Sequence, residues 1–263
     1  VNHGQRAIGV FDSGVGGLTV FREIARALPG ESLIYLGDSA RVPYGTKSPS
    51  TIVRYALEAA KHLISRDVKM LVIACNTATA AALPILQEQL SIPVIGVVEP
   101  GARAAVAATS GVVGVIATEG TVRSKAYTRA IHALDPDIDV IESAAPLFVP
   151  LAEEGWANTH VAREVAEIYL GPLLDAGIDT LVLGCTHYPI LRSTIEQVVG
   201  GAVAIVDSAE TTAQTVRLAL GSTVRQANPK RQFLVTDAEE RFRRIAGEFL
   251  AQEIEHLELV SLG

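Results

Sequence analysis

The chain is poor in several residue types, and each shortage excludes something. Among 263 residues there are two cysteines, one tryptophan and one methionine. Aromatic residues make up 5% against 49% hydrophobic overall, so a core built from this chain is mainly aliphatic. No apolar run reaches the roughly 20 residues needed to span a bilayer. The opening VNHGQRAIGVFDSG lacks the basic, apolar and small-residue succession of a secretory leader. The expected location is therefore cytoplasmic, where thiols stay reduced and a disulfide between the two cysteines is disfavoured. Positive charge is also short: 22 Lys and Arg face 29 Asp and Glu, a net charge of −7. A general nucleic-acid surface needs a basic face, so no nucleic-acid partner is expected.

Short apolar runs alternate with longer helix-like segments. Strands are expected at 7–11, 32–36, 69–74, 94–98, 112–117, 138–142, 179–183, 203–207, 231–235 and 257–261. Helices are expected at 17–28, 48–66, 100–109, 121–133, 157–173, 208–220 and 238–252, with residues 1–6 as a short tail. Strand–helix alternation at this spacing gives α/β architecture with parallel sheets covered by helices. Ligands bind such sheets beyond the carboxyl ends of the strands.

Two segments resemble each other: LVIACNTATA at 71–80 and LVLGCTHYP at 181–189. Each is an apolar strand ending in a cysteine that is followed by hydrogen-bonding residues. Cys75 and Cys185 lie 110 positions apart (185 − 75), which suggests two α/β halves facing each other rather than a short tandem repeat. The chain is expected to cross near Ile95–Gly101 and return near Val206–Ala209. That divides it into a first domain of 1–97 plus 208–263 and a second of 98–207, pseudo-symmetrically arranged with the active site in the cleft between them.

A single cysteine in an apolar strand is most often a small buried hydrophobe. These two sit at polar strand exits, before Asn76-Thr77 and Thr186-His187. Zinc requires more ligands than two cysteines and one C-x-H histidine, and no C-x₂₋₄-C pair exists, so no metal is expected. Paired acid–base chemistry fits better. A helix start at Thr77, and an equivalent one at Pro189, would place backbone N–H groups beside each thiol, favouring thiolate and binding carboxylates. Two thiols on opposite walls reach opposite faces of one carbon, one removing a proton and the other delivering one. That inverts a stereocentre.

Other polar clusters sit at strand exits. DSGVGGLTV at 12–20 is not a convincing phosphate loop: Thr19 occupies the third glycine position and no Walker lysine follows. What remains is Asp12 and Ser13, as turn residues or facing the cleft. Asp38 and Ser39 follow the second strand, and Pro43-Tyr44-Gly45 forms a rigid turn offering N–H groups and one phenol. Thr118 and Thr121 mark another strand-to-helix junction, where Thr118 also reads as a plain helix cap. His187 is either a structural histidine or a proton-transfer partner of Cys185. Glu153 and Glu154 read locally as a solvated pair.

Six motifs, DSGVGGL, GDSARVPYG, CNTAT, GVVEPG, ATEGTV and GCTHYP, in this order and spacing, resemble the glutamate racemase family over nearly the whole chain. The resemblance implies two α/β domains and cofactor-independent interconversion of L- and D-glutamate, the D-isomer feeding bacterial peptidoglycan synthesis. It implies that Cys75 and Cys185 are the acid–base residues, assisted by Asp12 and His187. Substrate contacts carry over to Asp12, Ser13, Tyr44, Gly45, Asn76, Thr77, Thr186 and His187, with Thr118 and Thr121 as additional contacts. Asp38 and Glu153 occupy further polar positions around the site. Dimers are common in the family, so a homodimer is expected. Some members carry an N-terminal extension tied to activation by a cell-wall precursor, and the residues before the first strand do not match it.

The nearest alternative is a sister racemase acting on aspartate or a hydantoin. A decarboxylase of the same superfamily would need only one thiol. A pyridoxal-phosphate racemase needs a Schiff-base lysine, and no cleft motif contains one. A two-lobed amino-acid-binding module fits the domain pattern but leaves both thiols without a purpose.

Overall fold

The computed structural model describes residues 6–221 and 228–262. All but the last position of the expected tail lies outside them. In chain order the elements are β1 (Ile8–Asp12), α1 (Leu18–Ala27), β2 (Leu33–Gly37), α2 (Pro49–Ser65), β3 (Met70–Ile73), α3 (Asn76–Gln89) and β4 (Val94–Gly96). There follow α4 (Val98–Ala108), β5 (Val112–Ala117), α5 (Glu119–Ser124), α6 (Ala126–His132), β6 (Asp139–Ala144), α7 (Phe148–Glu153), α8 (His160–Asp175) and β7 (Thr180–Gly184). A 3₁₀ turn at Tyr188–Leu191 leads to α9 (Arg192–Val199), β8 (Ala204–Asp207), α10 (Ser208–Leu220), β9 (Arg231–Val235), α11 (Glu239–Leu250) and β10 (Leu257–Leu259).

The strands form two all-parallel sheets, as the strand–helix alternation requires. The first runs β10-β9-β2-β1-β3-β4, so the C-terminal strands rejoin the N-terminal sheet. The second runs β6-β5-β7-β8. Set side by side, β2-β1-β3-β4 and β6-β5-β7-β8 have one topology, and the strand preceding a cysteine is the third of each set. Every residue of β1, β2, β3 and β7 is buried, which is why these strands read as continuous apolar runs rather than alternating ones.

The helices show their sequence logic locally. In α2 the Ser48 hydroxyl accepts from Thr51 N–H at 3.3 Å and Pro49 fills the first helical position. The cap is worth about 1 kcal/mol. Ile52, Ala56, Ala59, Ala60 and Leu63 then form the stripe that packs on the sheet. The helix expected over 121–133 is broken in two: Lys125 takes a left-handed conformation (φ 54°) between α5 and α6. Beyond α3, of which only the start was legible, α7 and α9 are additions to the expected set. Both are short, 6 and 8 residues, and neither fills the window of about 11–18 residues over which helical periodicity is read.

A continuous apolar cluster runs from Ile8, Val10 and Phe21 of the first sheet's layer to Leu181, Leu183 and Tyr188 of the second. The two sheets therefore share a core. Register brings the chemistry to one edge. Asp12 pairs with Gly37 and Phe11 with Ile73, so Asp12, Asp38 and Cys75 emerge together. Ala117 pairs with Gly184, so Thr118 and Cys185 do the same opposite them.

Candidate active site

Cys75 ends the β3 run and caps α3: its sulfur accepts from Ala78 N–H at 3.4 Å. Its thiol also donates to the Ser13 hydroxyl at 3.7 Å. The side chain is 6% exposed. Burial pushes the thiol up to about 12, Asp12 pushes the same way, and the Ala78 and Ser13 hydrogen bonds oppose them. Cys185 is a further, smaller cause of that rise, so the two sulfurs lie within electrostatic reach of each other. Both cysteines are free thiols.

Cys185 is held differently. The expected helix start at Pro189 is a 3₁₀ turn, and α9 begins only at Arg192, so no helix N-terminus caps this sulfur. The partner is instead His187, whose Nδ1 lies 3.9 Å from the thiol. His187 Nε2 meets Glu153 Oε1 at 3.1 Å. Glu153 Oε2 in turn accepts from Arg241 at 2.8 Å. Burial opposes protonation of the imidazole, yet Cys185 and Glu153 outweigh it and push it up to about 10. Burial likewise works against the Glu153 carboxylate, and His187 and Arg241 outweigh it, holding it below the usual range. The protonated imidazole is thus favoured by its two partners, and the ring is wedged edge-on against Phe249 with ring centres 5.4 Å apart.

Asp12 is fully buried at the tip of β1. Oδ2 accepts from Gly14 N–H at 2.9 Å, while Oδ1 has no hydrogen-bond partner. Burial raises its pKa, and the His187 charge pulls the other way. It lies within electrostatic reach of both Cys75 and His187, bonded to neither. The glycines after it serve close approach. A Cβ on Gly16 would sit 2.4 Å from His187 Nδ1 and from Thr186 Oγ1, and one on Gly17 would sit 2.4 Å from Asp12 Cβ. The glycine run lets the first sheet's loop press against the GCTHYP turn of the second. Thr19 bonds across the same seam, its hydroxyl donating to the Thr186 carbonyl at 2.9 Å.

A second seam joins the lobes on the other side. Thr77, Thr118 and Thr121 form a hydroxyl triangle with edges of 2.8, 3.2 and 3.1 Å. Thr118 caps α5 as expected, accepting from Thr121 N–H at 3.3 Å. Gly45 packs on Thr118: a Cβ there would come within 3.0 Å of the threonine Cβ. Asn76 accepts from the Tyr127 hydroxyl at 2.7 Å, and its Nδ2 is buried without a partner.

Two expected residues stand behind the cleft. The Tyr44 phenol is not a free group, because it donates to Asp38 Oδ2. Asp38 also accepts from Arg41 at 2.7 Å and from Thr236 at 3.0 Å, so it braces the Tyr44–Gly45 turn. Glu153 departs from the solvated-pair reading: its side chain is 18% exposed and engaged at both oxygens, whereas Glu154 is exposed. Sequence reasoning missed Thr19, Tyr127, Arg241 and Phe249. Nothing local in ERFRRIAGEFL separates Arg241 from Arg243 or Arg244. Among the described residues no group of three His, Cys, Asp or Glu is arranged to hold a metal ion. Among them too, no helix is long and apolar enough to cross a membrane.

Comparison with known proteins meets this geometry. The Asp/Glu/Hydantoin racemase family model matches residues 8–216. A glutamate racemase of Geobacter metallireducens is 55% identical over 262 residues, covering 98% of this chain and 97% of its own. The chain belongs to the glutamate racemases. The fold agrees with solved members of that family. A glutamate racemase isoform of Bacillus anthracis superposes with a TM-score of 0.95 at 44% identity, covering 99% of each chain. The glutamate racemase of Francisella tularensis, crystallised with D-glutamate, gives a TM-score of 0.92 at 42% identity and 98% coverage of both chains. A glutamate racemase is an isomerase, and the two parallel-sheet lobes are those of the family.

Proposed function

We propose that the cleft interconverts L- and D-glutamate with the two thiols as its acid and base, Cys75 deprotonating the D-isomer and Cys185 the L-isomer. The observation that carries this reading is the duplicated topology, in which one thiol follows the third strand of each four-strand set. Asp12, Ser13, Asn76, Thr77, Thr118, Thr121, Thr186 and His187 would hold the substrate, with the Tyr44–Gly45 turn contributing backbone and Asp38 bracing it. The first-turn N–H groups of α3 suit a carboxylate. Asp12 Oδ1 and Asn76 Nδ2 supply one acceptor and one donor that the protein itself leaves unsatisfied.

The proton is removed from Cα by one thiolate while the opposite thiol returns its own proton to the other face. With Cys75 pushed up to about 12, the resting cleft keeps a proton there, ready for the L to D direction. His187, cationic beside Cys185, compensates charge when that thiol gives or takes its proton. The chemistry is placed wholly on side chains, so neither metal nor pyridoxal phosphate is assigned a step. Relatives at up to 55% identity are glutamate racemases, which favours glutamate over aspartate or a hydantoin.

We infer further that the chain divides as 1–97 plus 208–263 and 98–207, that it works in the cytoplasm to supply D-glutamate for peptidoglycan, and that it forms a homodimer. Exposed Leu147, Trp156 and Ile168 give such a dimer apolar surface to bury. The decisive experiment incubates purified protein with L-glutamate, without added cofactor, and follows circular dichroism, with L-aspartate in parallel. Decay of the glutamate signal to zero is expected. A flat glutamate trace, or a faster aspartate one, overturns the assignment.

A further inference from the structure

Tyr127 is a large side chain that bonds across the two lobes and has no part in the mechanism above. It is the second residue of α6 in the second lobe and is fully buried. Its hydroxyl donates to Asn76 Oδ1 at 2.7 Å, and Asn76 is the residue after Cys75 at the start of α3 in the first lobe. Its ring lies against the residue before the other thiol: a Cβ on Gly184 would come within 3.0 Å of Tyr127 Cε2. Gly101 of α4 makes room on the ring's other edge, with its notional Cβ 3.2 Å from both Cε1 and the hydroxyl oxygen. One phenol therefore touches Gly184, beside Cys185, and Asn76, beside Cys75.

The contact fixes more than spacing. A carboxamide has one acceptor and one donor group, and turning it over exchanges them. With Oδ1 committed to Tyr127, Nδ2 becomes the amide's remaining donor, and it is buried without a partner. A buried N–H left unpaired is costly, so such a group is retained where a ligand acceptor satisfies it. In a cleft that takes glutamate, the acceptors of matching chemistry are carboxylate oxygens.

We propose that Tyr127 is a positioning residue for substrate recognition: its hydroxyl turns the Asn76 carboxamide so that Nδ2 is presented to a carboxylate of glutamate. The inference rests on the cleft being the glutamate site. It adds that the second lobe, through one hydroxyl, sets the polarity of a recognition group on the first. Recognition by Asn76 thus depends on the lobes being closed on each other. Taken as the side-chain carboxylate, which gains no charge as Cα is deprotonated, the acceptor is held alike in bound substrate and transition state, so loss of the contact weakens binding without slowing chemistry.

The test measures kcat and KM in both directions for the wild type, Tyr127→Phe, Asn76→Ala and the double variant, with melting temperatures alongside. Tyr127→Phe keeps the ring and is expected to raise KM for both enantiomers about tenfold, with kcat within about twofold of wild type. Asn76→Ala raises KM at least as much, and the double variant matches Asn76→Ala, because the hydroxyl acts only through the amide. Wild-type KM in Tyr127→Phe, a fall confined to kcat, or losses that multiply in the double variant would overturn the proposal. Asn76→Asp tests the orientation without touching Tyr127. It keeps the acceptor for the phenol but turns an oxygen toward the substrate, so glutamate binding should fall about 100-fold or more through like-charge contact. Near-normal KM in that variant means the amide lies the other way round and sinks the idea. An inactive wild type would instead defeat the glutamate reading itself.

Discussion

The two thiols stand at equivalent points of equivalent topology, yet their surroundings share almost nothing. Cys75 is served by a backbone N–H and a hydroxyl, with the Asp12 carboxylate nearby. Cys185 is served by an imidazole at the head of the chain His187–Glu153–Arg241. The difference starts in the residues that follow. After Cys75, Asn-Thr-Ala-Thr continues directly into α3, and the cysteine becomes its cap. After Cys185, Thr-His-Tyr-Pro makes a 3₁₀ turn that delivers His187 back to the sulfur. Strand order thus places the bases, and the next few residues decide how each is tuned. A catalyst that handles mirror-image substrates is not itself a mirror image.

The sharpest way to break the comparison is to remove one thiol at a time. Cys75→Ala and Cys185→Ala should each abolish net racemisation, since either direction needs both groups. In D₂O the two variants should part company. Cys75→Ala is expected to exchange the α-hydrogen of L-glutamate through Cys185, and Cys185→Ala that of D-glutamate, with NMR reading each isomer. Racemisation at an ordinary rate in either variant would reduce the duplicated strands to a structural resemblance.

Next in size are the assistants. Asp12→Asn and His187→Asn should each lower kcat by about 10²–10⁴-fold with the fold intact. The enantiomers have equal free energy, so kcat/KM must fall equally in both directions whichever residue is changed. The asymmetry lies in which proton transfer limits the rate. With His187→Asn the primary isotope effect should grow for α-deuterated L-glutamate, the isomer assigned to Cys185. Equal isotope effects for both isomers would mean that His187 does not belong to one thiol.

How far this asymmetry was legible differs by lobe. The parallel sheets, the strand exits and both thiols follow from apolar runs and their spacing. Asn76, Thr77, Thr118 and Thr121 are adjacent in sequence to strand exits, so position alone nominated them. Glu153 and Arg241 were not readable in that way. Glu153 sits at the end of a six-residue helix beside a genuinely exposed Glu154, and its role exists only because α11 folds back 88 residues later. The glycines of DSGVGGL were read for turn geometry, whereas Gly16 is required by the Thr186 and His187 side chains, which approach from the other lobe. Contacts of that separation leave no local periodicity to detect.

The Glu153 carboxylate gives a smaller, pH-dependent test. An imidazole raised on folding from 6.5 to about 10 binds its proton more tightly in the native state. It therefore stabilises the fold fully below the free imidazole's range, and the contribution is lost as pH rises through about 10. Glu153, held low, contributes above the free carboxylate's range and loses its share as pH falls through its lowered native value. Glu153→Gln should cost about 1–3 kcal/mol at pH 7, between the exposed and buried limits for an ion pair. It should also cost about tenfold in turnover. The gap between the melting curves of wild type and variant should narrow above pH 10 to what the Arg241 ion pair contributes. A gap that does not narrow at all would assign Glu153 to Arg241 rather than to the charge on His187.

The smallest effect belongs to Ser13, the hydroxyl at 3.7 Å from the Cys75 sulfur. When the thiol is protonated it donates to Ser13. When it is ionised the hydroxyl can rotate and donate back, which is why this contact opposes the rise that burial imposes on Cys75. A hydrogen bond to a partly charged sulfur is worth about 0.5–1.5 kcal/mol net, so Ser13→Ala should lower kcat/KM by about two- to tenfold. The fall must be the same for both enantiomers, again because their equilibrium is balanced. The loss falls on the transfer that Cys75 performs as base, which is removal of the α-proton from D-glutamate. That step becomes more nearly limiting, so the isotope effect on α-deuterated D-glutamate should rise, the reverse of the His187→Asn pattern. The two variants together are the finest resolution of the comparison, because each marks one wall. If Ser13→Ala enlarges the effect on the L-isomer instead, Cys75 is the base for L-glutamate and the assignment of the two thiols must be exchanged.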